Sequence, residues 1–205
     1  MARHELMLKL IQGPRILDVG CTGHFVEPTR GVHARIRQAF PDAEVWGFDL
    51  SPENVKEMQE FGFENVDVGD AQDFSYDQKF DTIVAGELIE HLESPGRFLS
   101  CARAHLAPGG RVIVTTPYPF ALLHFLYAAR KFPKTVPNPE HSVWLCPSTM
   151  GEQASRAGLR VSHMELFRQG YIEGGPRLYD FIRRVTGYLP KRVGATNALY
   201  VMEAI

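Results

Sequence analysis

The chain has 205 residues, 44% hydrophobic and 22% charged, which is the balance of a soluble globular protein that can bury a substantial core. Its longest apolar-rich stretch, residues 120–129, is too short to cross a bilayer, residues 1–12 lack signal-peptide features, and three cysteines without CxxC spacing argue against a disulfide framework or zinc knuckle. We therefore expect a cytoplasmic protein, whose net charge of −2 combines an acidic first half with a basic second half that would suit an anionic partner.

Short apolar runs and helical patterns alternate along the first 116 residues. We predict helices at 3–12, 28–40, 52–61 and 95–106, strands at 16–19, 43–48, 64–68, 79–85 and 111–116, and a turn at 108–110. This alternation is typical of an α/β fold with a parallel sheet and right-handed crossovers. The remaining chain predicts helices at 120–131, 147–157 and 177–185, and an antiparallel pair of edge strands at 159–167 and 198–202.

The first strand leads directly into a turn that contains Gly20 and Gly23. Glycine lets the backbone turn tightly and approach a ligand closely. A strand, a glycine turn and a helix in this order are the general arrangement for a nucleotide-like cofactor at the carboxyl edge of an α/β sheet. The same turn also occurs for reasons of chain geometry alone, so it does not identify a ligand by itself.

Asp49 ends the second predicted strand, where a carboxylate can accept hydrogen bonds from both hydroxyls of a cofactor ribose. The same placement serves NAD enzymes, and it also suits an acidic residue that simply precedes a helix N-terminus. The Gly-x-Gly-x-x-Gly pattern of NAD enzymes is absent after the first strand. NAD-dependent chemistry is therefore a distant alternative.

Five segments in order resemble the motifs of class I S-adenosylmethionine-dependent methyltransferases. They are Ile16–Gly23, Gly47-Phe48-Asp49, Gly69-Asp70-Ala71, Phe80–Val84 and Leu106–Gly110. The resemblance implies a Rossmann-like, doubly wound, seven-stranded sheet that is mostly parallel with an antiparallel edge strand. It also implies one domain, 1–205, whose cofactor-binding half is 1–116 and whose acceptor-binding half is 117–205. The glycine turn departs from the family pattern Asp-x-Gly-Cys-Gly-x-Gly because it is one glycine short, which predicts a tighter turn.

The same resemblance assigns residues to S-adenosylmethionine. The first glycine turn would shape the methionine pocket, the acid after strand two would bind the ribose, and the acid after strand three would accept from the adenine amino group, as a carboxylate can. The residues assigned to the cofactor are Asp18, Gly20, Cys21, Gly23, Asp49, Leu50, Asp70, Ala71 and Glu87.

A Glu-x-x-Glu-His pattern follows the fourth predicted strand. In a helical turn Glu87 would share a face with Glu90 and His91, and carboxylates and imidazoles ligate divalent cations. The pattern looks like that of ubiquinone-pathway O-methyltransferases and small-RNA 3′-terminal 2′-O-methyltransferases, which carry a further histidine after strand five; His141 is in the corresponding place. We expect these four residues to bind magnesium, manganese or zinc. Glu90, His91 and His141 are the candidate catalytic residues, and metal-free alternatives are His141 as a general base or structural roles for the set.

The resemblance implies transfer of a methyl group to an oxygen of a small polar acceptor, such as a sugar, catechol or other diol. RNA is a less attractive acceptor, because no dense basic tract is interleaved with aromatic residues. Two alternatives stay open: an N- or carboxyl-methyltransferase without metal, and a non-catalytic cofactor- or partner-binding member of the fold. The sequence indicates no oligomeric state.

Overall fold

The computed structural model describes residues 3–23, 31–131, 138–169 and 188–205. Within these ranges the helices and strands up to residue 117 follow one another in the predicted order. The helices are α1 (Arg3–Leu8), α2 (Val32–Ala39), α3 (Pro52–Glu60), α4 (Pro95–His105), α5 (Leu122–Lys131), α6 (Pro147–Arg156) and α7 (Lys191–Gly194). The strands are β1 (Arg15–Val19), β2 (Glu44–Asp49), β3 (Val66–Val68), β4 (Phe80–Gly86), β5 (Leu106–Pro117), β6 (Leu159–Phe167) and β7 (Asn197–Ala204).

The strands form one seven-stranded sheet in the order β3-β2-β1-β4-β5-β7-β6. The first five strands of that order run parallel, and β7 pairs antiparallel with both β5 and β6. The predicted doubly wound, mostly parallel sheet with an antiparallel pair at its edge is confirmed. Chain order reverses between β1 and β4, and in open α/β sheets ligands bind outside the carboxyl ends of the strands at such a point.

Both faces of the sheet are buried, which explains the nearly continuous apolar runs of its central strands. In β1, Leu17 and Val19 pack into one core cluster while Ile16 packs into another. Strand β4 alternates in the same way, with Ile83 in the first cluster and Val84 in the second. The sheet is therefore held from both sides, and its carboxyl edge is a rigid base for the loops that follow each strand.

Several predicted boundaries differ from those of the structure. Helix α1 ends at Leu8 rather than at residue 12, α2 begins at Val32 rather than at residue 28, and β3 is confined to Val66–Val68. The turn predicted at 108–110 lies inside β5, where the register against β4 shifts. A Cβ on Gly110 would lie 2.9 Å from the carbonyl oxygen of Phe80, so this glycine permits close strand contact. The helix predicted at 177–185 lies outside the described residues.

No helix in the described ranges is both long enough and apolar enough to cross a bilayer. This finding agrees with the sequence, in which the longest apolar-rich stretch is interrupted by His124.

Candidate functional site

The glycine turn after β1 is fixed by the end of β2. The backbone N–H groups of Gly20 and Cys21 both donate to the carbonyl oxygen of Phe48, at 2.9 and 3.1 Å. Gly20 and Gly23 have φ angles of +73° and +58°, in the left-handed region that favours glycine. A Cβ on Gly20 would lie 3.1 Å from a methyl group of Leu88, so the turn also touches the loop after β4.

A buried polar pair lies next to this turn. Asp18 is the fourth residue of β1, and its Oδ2 is 3.4 Å from Nδ1 of His33 in α2; the two side chains are 3% and 0% exposed. Cys21 is also buried, and burial raises the pKa of its thiol. A protonated, enclosed thiol is a poor nucleophile. Cys21 therefore fits a packing or backbone contact role, and His33 is a neighbour of Asp18 that the sequence did not indicate.

Asp49 connects the glycine turn to helix α3. One carboxylate oxygen accepts the N–H of Thr22 at 3.2 Å, and the other accepts the N–H of Ser51 at 3.1 Å. Ser51 caps α3 by accepting the N–H of Asn54. Beside Asp49, the side chain of Leu50 is 72% exposed. The pair offers a carboxylate and an apolar surface side by side.

Asp70 and Ala71 follow β3. The Asp70 carboxylate accepts the backbone N–H of Gln72 at 2.8 Å, which fixes the turn around it. Ala71 is buried against the core. The order β3-β2-β1-β4 places the segments after these strands successively along one edge.

Glu87 lies immediately after β4 in an unusual conformation. Its φ is +56°, and its N–H donates to the carbonyl oxygen of Thr115 at 2.9 Å. One carboxylate oxygen accepts the side-chain amide N–H of Asn197 at 2.7 Å, and the other, Oε1, is buried without a partner among the described residues. Burial raises the pKa of this carboxyl. Asn197 was not indicated by the sequence; because β7 is antiparallel, its first residue reaches the carboxyl edge.

The structure brings Glu90, His91 and His141 together. One ligand atom from each lies within 4.8 Å of the others, and the two imidazole rings are in edge contact with centroids 4.8 Å apart. The loop that carries His141 is anchored on Glu90, whose carbonyl oxygen accepts the N–H of Ser142 at 2.8 Å. The three residues come from two distant parts of the chain that this anchoring joins.

Glu87 is outside that group. A short 3₁₀ turn covers only Ile89–His91, and the left-handed backbone at Glu87 precedes it. The prediction that Glu87 shares a helical face with Glu90 and His91 is therefore wrong, because β4 ends at Gly86 and the helical turn begins only at Ile89, after Glu87.

Glu90 is the most enclosed member of the group. It is 2% exposed, and neither carboxylate oxygen accepts a hydrogen bond from the described residues. Burial, reinforced by the neighbouring charge of Glu87, raises the pKa of Glu90, and the Thr116 hydroxyl and the charge of Arg3 offset only part of that rise. An unpaired buried carboxylate is energetically unfavourable, and a positive charge close to it would relieve that penalty. One carboxylate and two imidazoles are also a suitable donor set for zinc or manganese.

A family profile described as a methyltransferase domain matches residues 2–164. Among curated proteins, the chain is 30% identical over 164 residues to a ubiquinone biosynthesis O-methyltransferase of Xanthomonas euvesicatoria, covering 74% of this chain and 64% of that protein. It is 28% identical over 167 residues to the protein of the same name from Bordetella avium, covering 75% and 65%. The chain thus spans about two thirds of the length of these relatives.

Solved structures share the fold at low sequence identity. A SAM-dependent methyltransferase from Archaeoglobus fulgidus superimposes with a TM-score of 0.65 and 18% identity, covering 97% of this chain and 93% of that one. A glycopeptide N-methyltransferase complexed with S-adenosylhomocysteine gives a TM-score of 0.63 and 16% identity, covering 98% and 86%. At such identities these similarities establish the fold alone.

Proposed function

This chain belongs to the methyltransferase-domain family, and from that premise we propose that it transfers a methyl group from S-adenosylmethionine to an oxygen of a small polar acceptor. The observation that carries the proposal is the Asp49 carboxylate, which is hydrogen-bonded to both the glycine turn and the start of α3. A carboxylate held in this way, beside a turn whose backbone can approach a ligand closely, supports ribose binding by Asp49.

The remaining cofactor contacts are proposed from the same edge. Gly20 and Gly23 would face the methionine part, Asp49 the ribose, and Asp70 the adenine amino group, with Leu50 and Ala71 beside the base. Leu50 supports this assignment because a planar base would cover its exposed side chain. Together with Asp18 and Glu87, the edge carries several carboxylates and is complementary to a cationic ligand.

S-adenosylmethionine, when bound, supplies an electrophilic methyl group on sulfonium. The chain's own task is then to align the acceptor oxygen with that methyl group, exclude water and remove one proton. Without a metal, His141 is the residue we propose to accept the proton, because its ring contacts His91 beside Glu90. Residues 1–116 would hold the cofactor and 117–205 the acceptor.

A divalent cation is a further part of the proposal, with Glu90, His91 and His141 as the residues that would hold it. The supporting observation is the buried Glu90 carboxylate, whose two oxygens lack partners within the described ranges. When bound there, a cation would favour ionisation of an acceptor hydroxyl. A catechol, sugar or other diol is the acceptor class this donor set suits, and the O-methyltransferase names of the relatives support methylation of oxygen.

The experiment is a calorimetric titration of S-adenosylmethionine into chelator-treated protein, with and without magnesium, manganese or zinc. Methyl transfer from labelled S-adenosylmethionine to catechol, to a sugar diol, to an amine and to a carboxylic acid is then measured in the same buffers. Metal-dependent transfer that is lost in Glu90→Gln and His141→Ala, with cofactor binding retained, supports the full proposal. Metal-independent transfer to nitrogen or a carboxylate contradicts the oxygen and metal assignments. Absence of cofactor binding contradicts the enzymatic proposal.

A further inference from the structure

We propose that Asn197 is a positioning residue which turns Glu87 so that its Oε1 accepts a hydrogen bond from the ammonium group of the bound cofactor's methionine part. This inference rests on the proposed function, because it requires S-adenosylmethionine at the carboxyl edge. It assigns a role to the first residue of β7, beyond the residues that the methyltransferase family profile matches.

The backbone of Glu87 is in the left-handed region. A φ of +56° is uncommon for a residue with a side chain, and such conformations persist where surrounding contacts hold them. Here the N–H of Glu87 is held by the carbonyl oxygen of Thr115 at 2.9 Å, and its Oε2 is held by Asn197 at 2.7 Å. Two contacts from two other strands therefore determine the direction of this side chain.

The orientation of the Asn197 amide is set by Thr196. The backbone N–H of Gln169 donates to the hydroxyl oxygen of Thr196 at 2.9 Å. The hydroxyl hydrogen of Thr196 is thereby left to donate, and it does so to Oδ1 of Asn197 at 2.7 Å. With its oxygen engaged in this way, Asn197 presents its NH₂ group to Glu87. The amide is 4% exposed, so water does not compete freely for this position.

The hydrogen bond from Asn197 engages only Oε2 of Glu87 and leaves the other carboxylate oxygen, Oε1. Oε1 of Glu87 is buried and no donor of the described residues meets hydrogen-bond geometry with it, although the effect of burial, which raises the pKa of this carboxyl, is partly offset by the charge of Arg3 and the Thr115 hydroxyl. A buried acceptor without a donor is unfavourable, and a ligand that brings a donor recovers the lost interaction. A carboxylate pairs best with a charged donor. A cationic N–H donor is therefore the ligand group that this oxygen is suited to receive.

The loop that carries Glu87 lies next to the glycine turn after β1. Leu88, the next residue, lies so close to the glycine turn that a Cβ on Gly20 would be 3.1 Å from its side chain. Strands β1 and β4 are direct neighbours, with Val19 opposite Ala85. Glu87 therefore lies beside the turn proposed to hold the methionine part, and the ammonium group is the cationic donor of that part.

The test compares two ligands, of which only one carries the ammonium group of the methionine part. S-adenosylhomocysteine carries the amino acid part, whereas methylthioadenosine keeps the adenosine and thioether and lacks the ammonium and carboxylate. Both are titrated calorimetrically into wild-type protein, Asn197→Asp, Asn197→Ala and Glu87→Gln. Gln153→Glu in α6 provides the same amide-to-carboxylate change at a side chain that lies against Gly96. Thermal unfolding of each variant establishes that it is folded.

We expect Asn197→Asp and Glu87→Gln each to weaken S-adenosylhomocysteine binding about tenfold or more, the loss of one hydrogen bond to a charged group. Methylthioadenosine binding should stay within about twofold of wild type, and Gln153→Glu should change neither ligand. In the double variant Asn197→Asp/Glu87→Gln the two losses should not add, because both substitutions remove the same interaction with the ligand. Unchanged S-adenosylhomocysteine binding in folded Asn197→Asp, or an equal loss for both ligands, overturns the positioning role. A wild-type protein that binds neither ligand overturns the proposed function itself.

Discussion

Gly47 couples the stability of the sheet to the shape of the glycine turn. It is in β2, paired with Asp18 of β1, and an alanine Cβ would lie 2.9 Å from Cβ of Cys21 and 2.9 Å from Cε1 of His33. Cβ of Cys21 is bonded directly to the backbone of the turn, and His33 is fully buried, so neither atom can move without displacing its surroundings. Overpacking of this kind destabilises a core by about 1–3 kcal/mol. We expect Gly47→Ala to lower the free energy of unfolding by that amount.

The matched control is Gly151→Ala in α6, where a Cβ would meet nothing within 4 Å. That change should raise the free energy of unfolding by up to about 1 kcal/mol, because glycine is a poor helix former. Urea unfolding followed by circular dichroism measures both variants, with unchanged m-values as the check on the unfolded state. Gly47→Ala should also weaken S-adenosylhomocysteine binding, and Gly151→Ala should not. Wild-type stability of Gly47→Ala would refute the packing argument, and destabilisation with unchanged binding would refute the coupling to the turn.

Three further outcomes are expected. Asp49→Ala should weaken S-adenosylmethionine binding about 100-fold in calorimetry, since two charge-assisted hydrogen bonds of about 1.5 kcal/mol or more are lost; a loss below threefold would argue against ribose binding there. Thr82→Val should lower the free energy of unfolding, measured in urea, by about 1–3 kcal/mol. The buried Thr82 hydroxyl donates to the carbonyl oxygen of Gln12 at 2.7 Å and accepts the N–H of Gln12 at 3.0 Å, and valine removes both hydrogen bonds. A change within experimental error would contradict this. Hydrogen bonds, chiefly with Ser148, lower the pKa of Cys146 to about 7, so its alkylation by iodoacetamide should rise as pH increases through 7, ahead of buried Cys21. In Ser148→Ala that rise should move to higher pH, and an unshifted profile would exclude the hydroxyl as the cause.

The sheet was predictable because its signals are local. Each central strand is a short apolar run, and glycine or acidic residues such as Gly20, Asp49 and Asp70 stand at or just after the strand ends. Burial on both faces of a parallel sheet produces such runs without reference to distant parts of the chain. The same reasoning places the residues after the strands at one edge, which is why most of the candidate cofactor residues could be named.

The conformation around Glu87 was not predictable, because it depends on distant contacts. The spacing of Glu87 and Glu90 fits a helical face only if the helical turn starts at Glu87, and nothing nearby in the sequence indicates a left-handed residue there. The contacts that hold it come from Thr115 and Asn197, at the ends of two other strands. His33 beside Asp18 is a similar case, since its contact requires α2 to pack across β1.

The reversed direction of β7 has a consequence for how the two halves of the site are joined. Parallel strands contribute to the carboxyl edge through their last residues and the residues that follow them, whereas β7 contributes its first residue, Asn197. Its hydrogen bond to Glu87 crosses the position of β5, whose Thr115 holds the Glu87 backbone. The residue that follows β4 is thereby held by two strands on the same side of β4, namely β5 and β7, and Oε1 of Glu87 remains buried without a hydrogen-bond donor from the described residues. Because Glu90 lies three residues further along the same loop, whatever fixes Glu87 also limits where Glu90 and His91 can lie relative to the glycine turn.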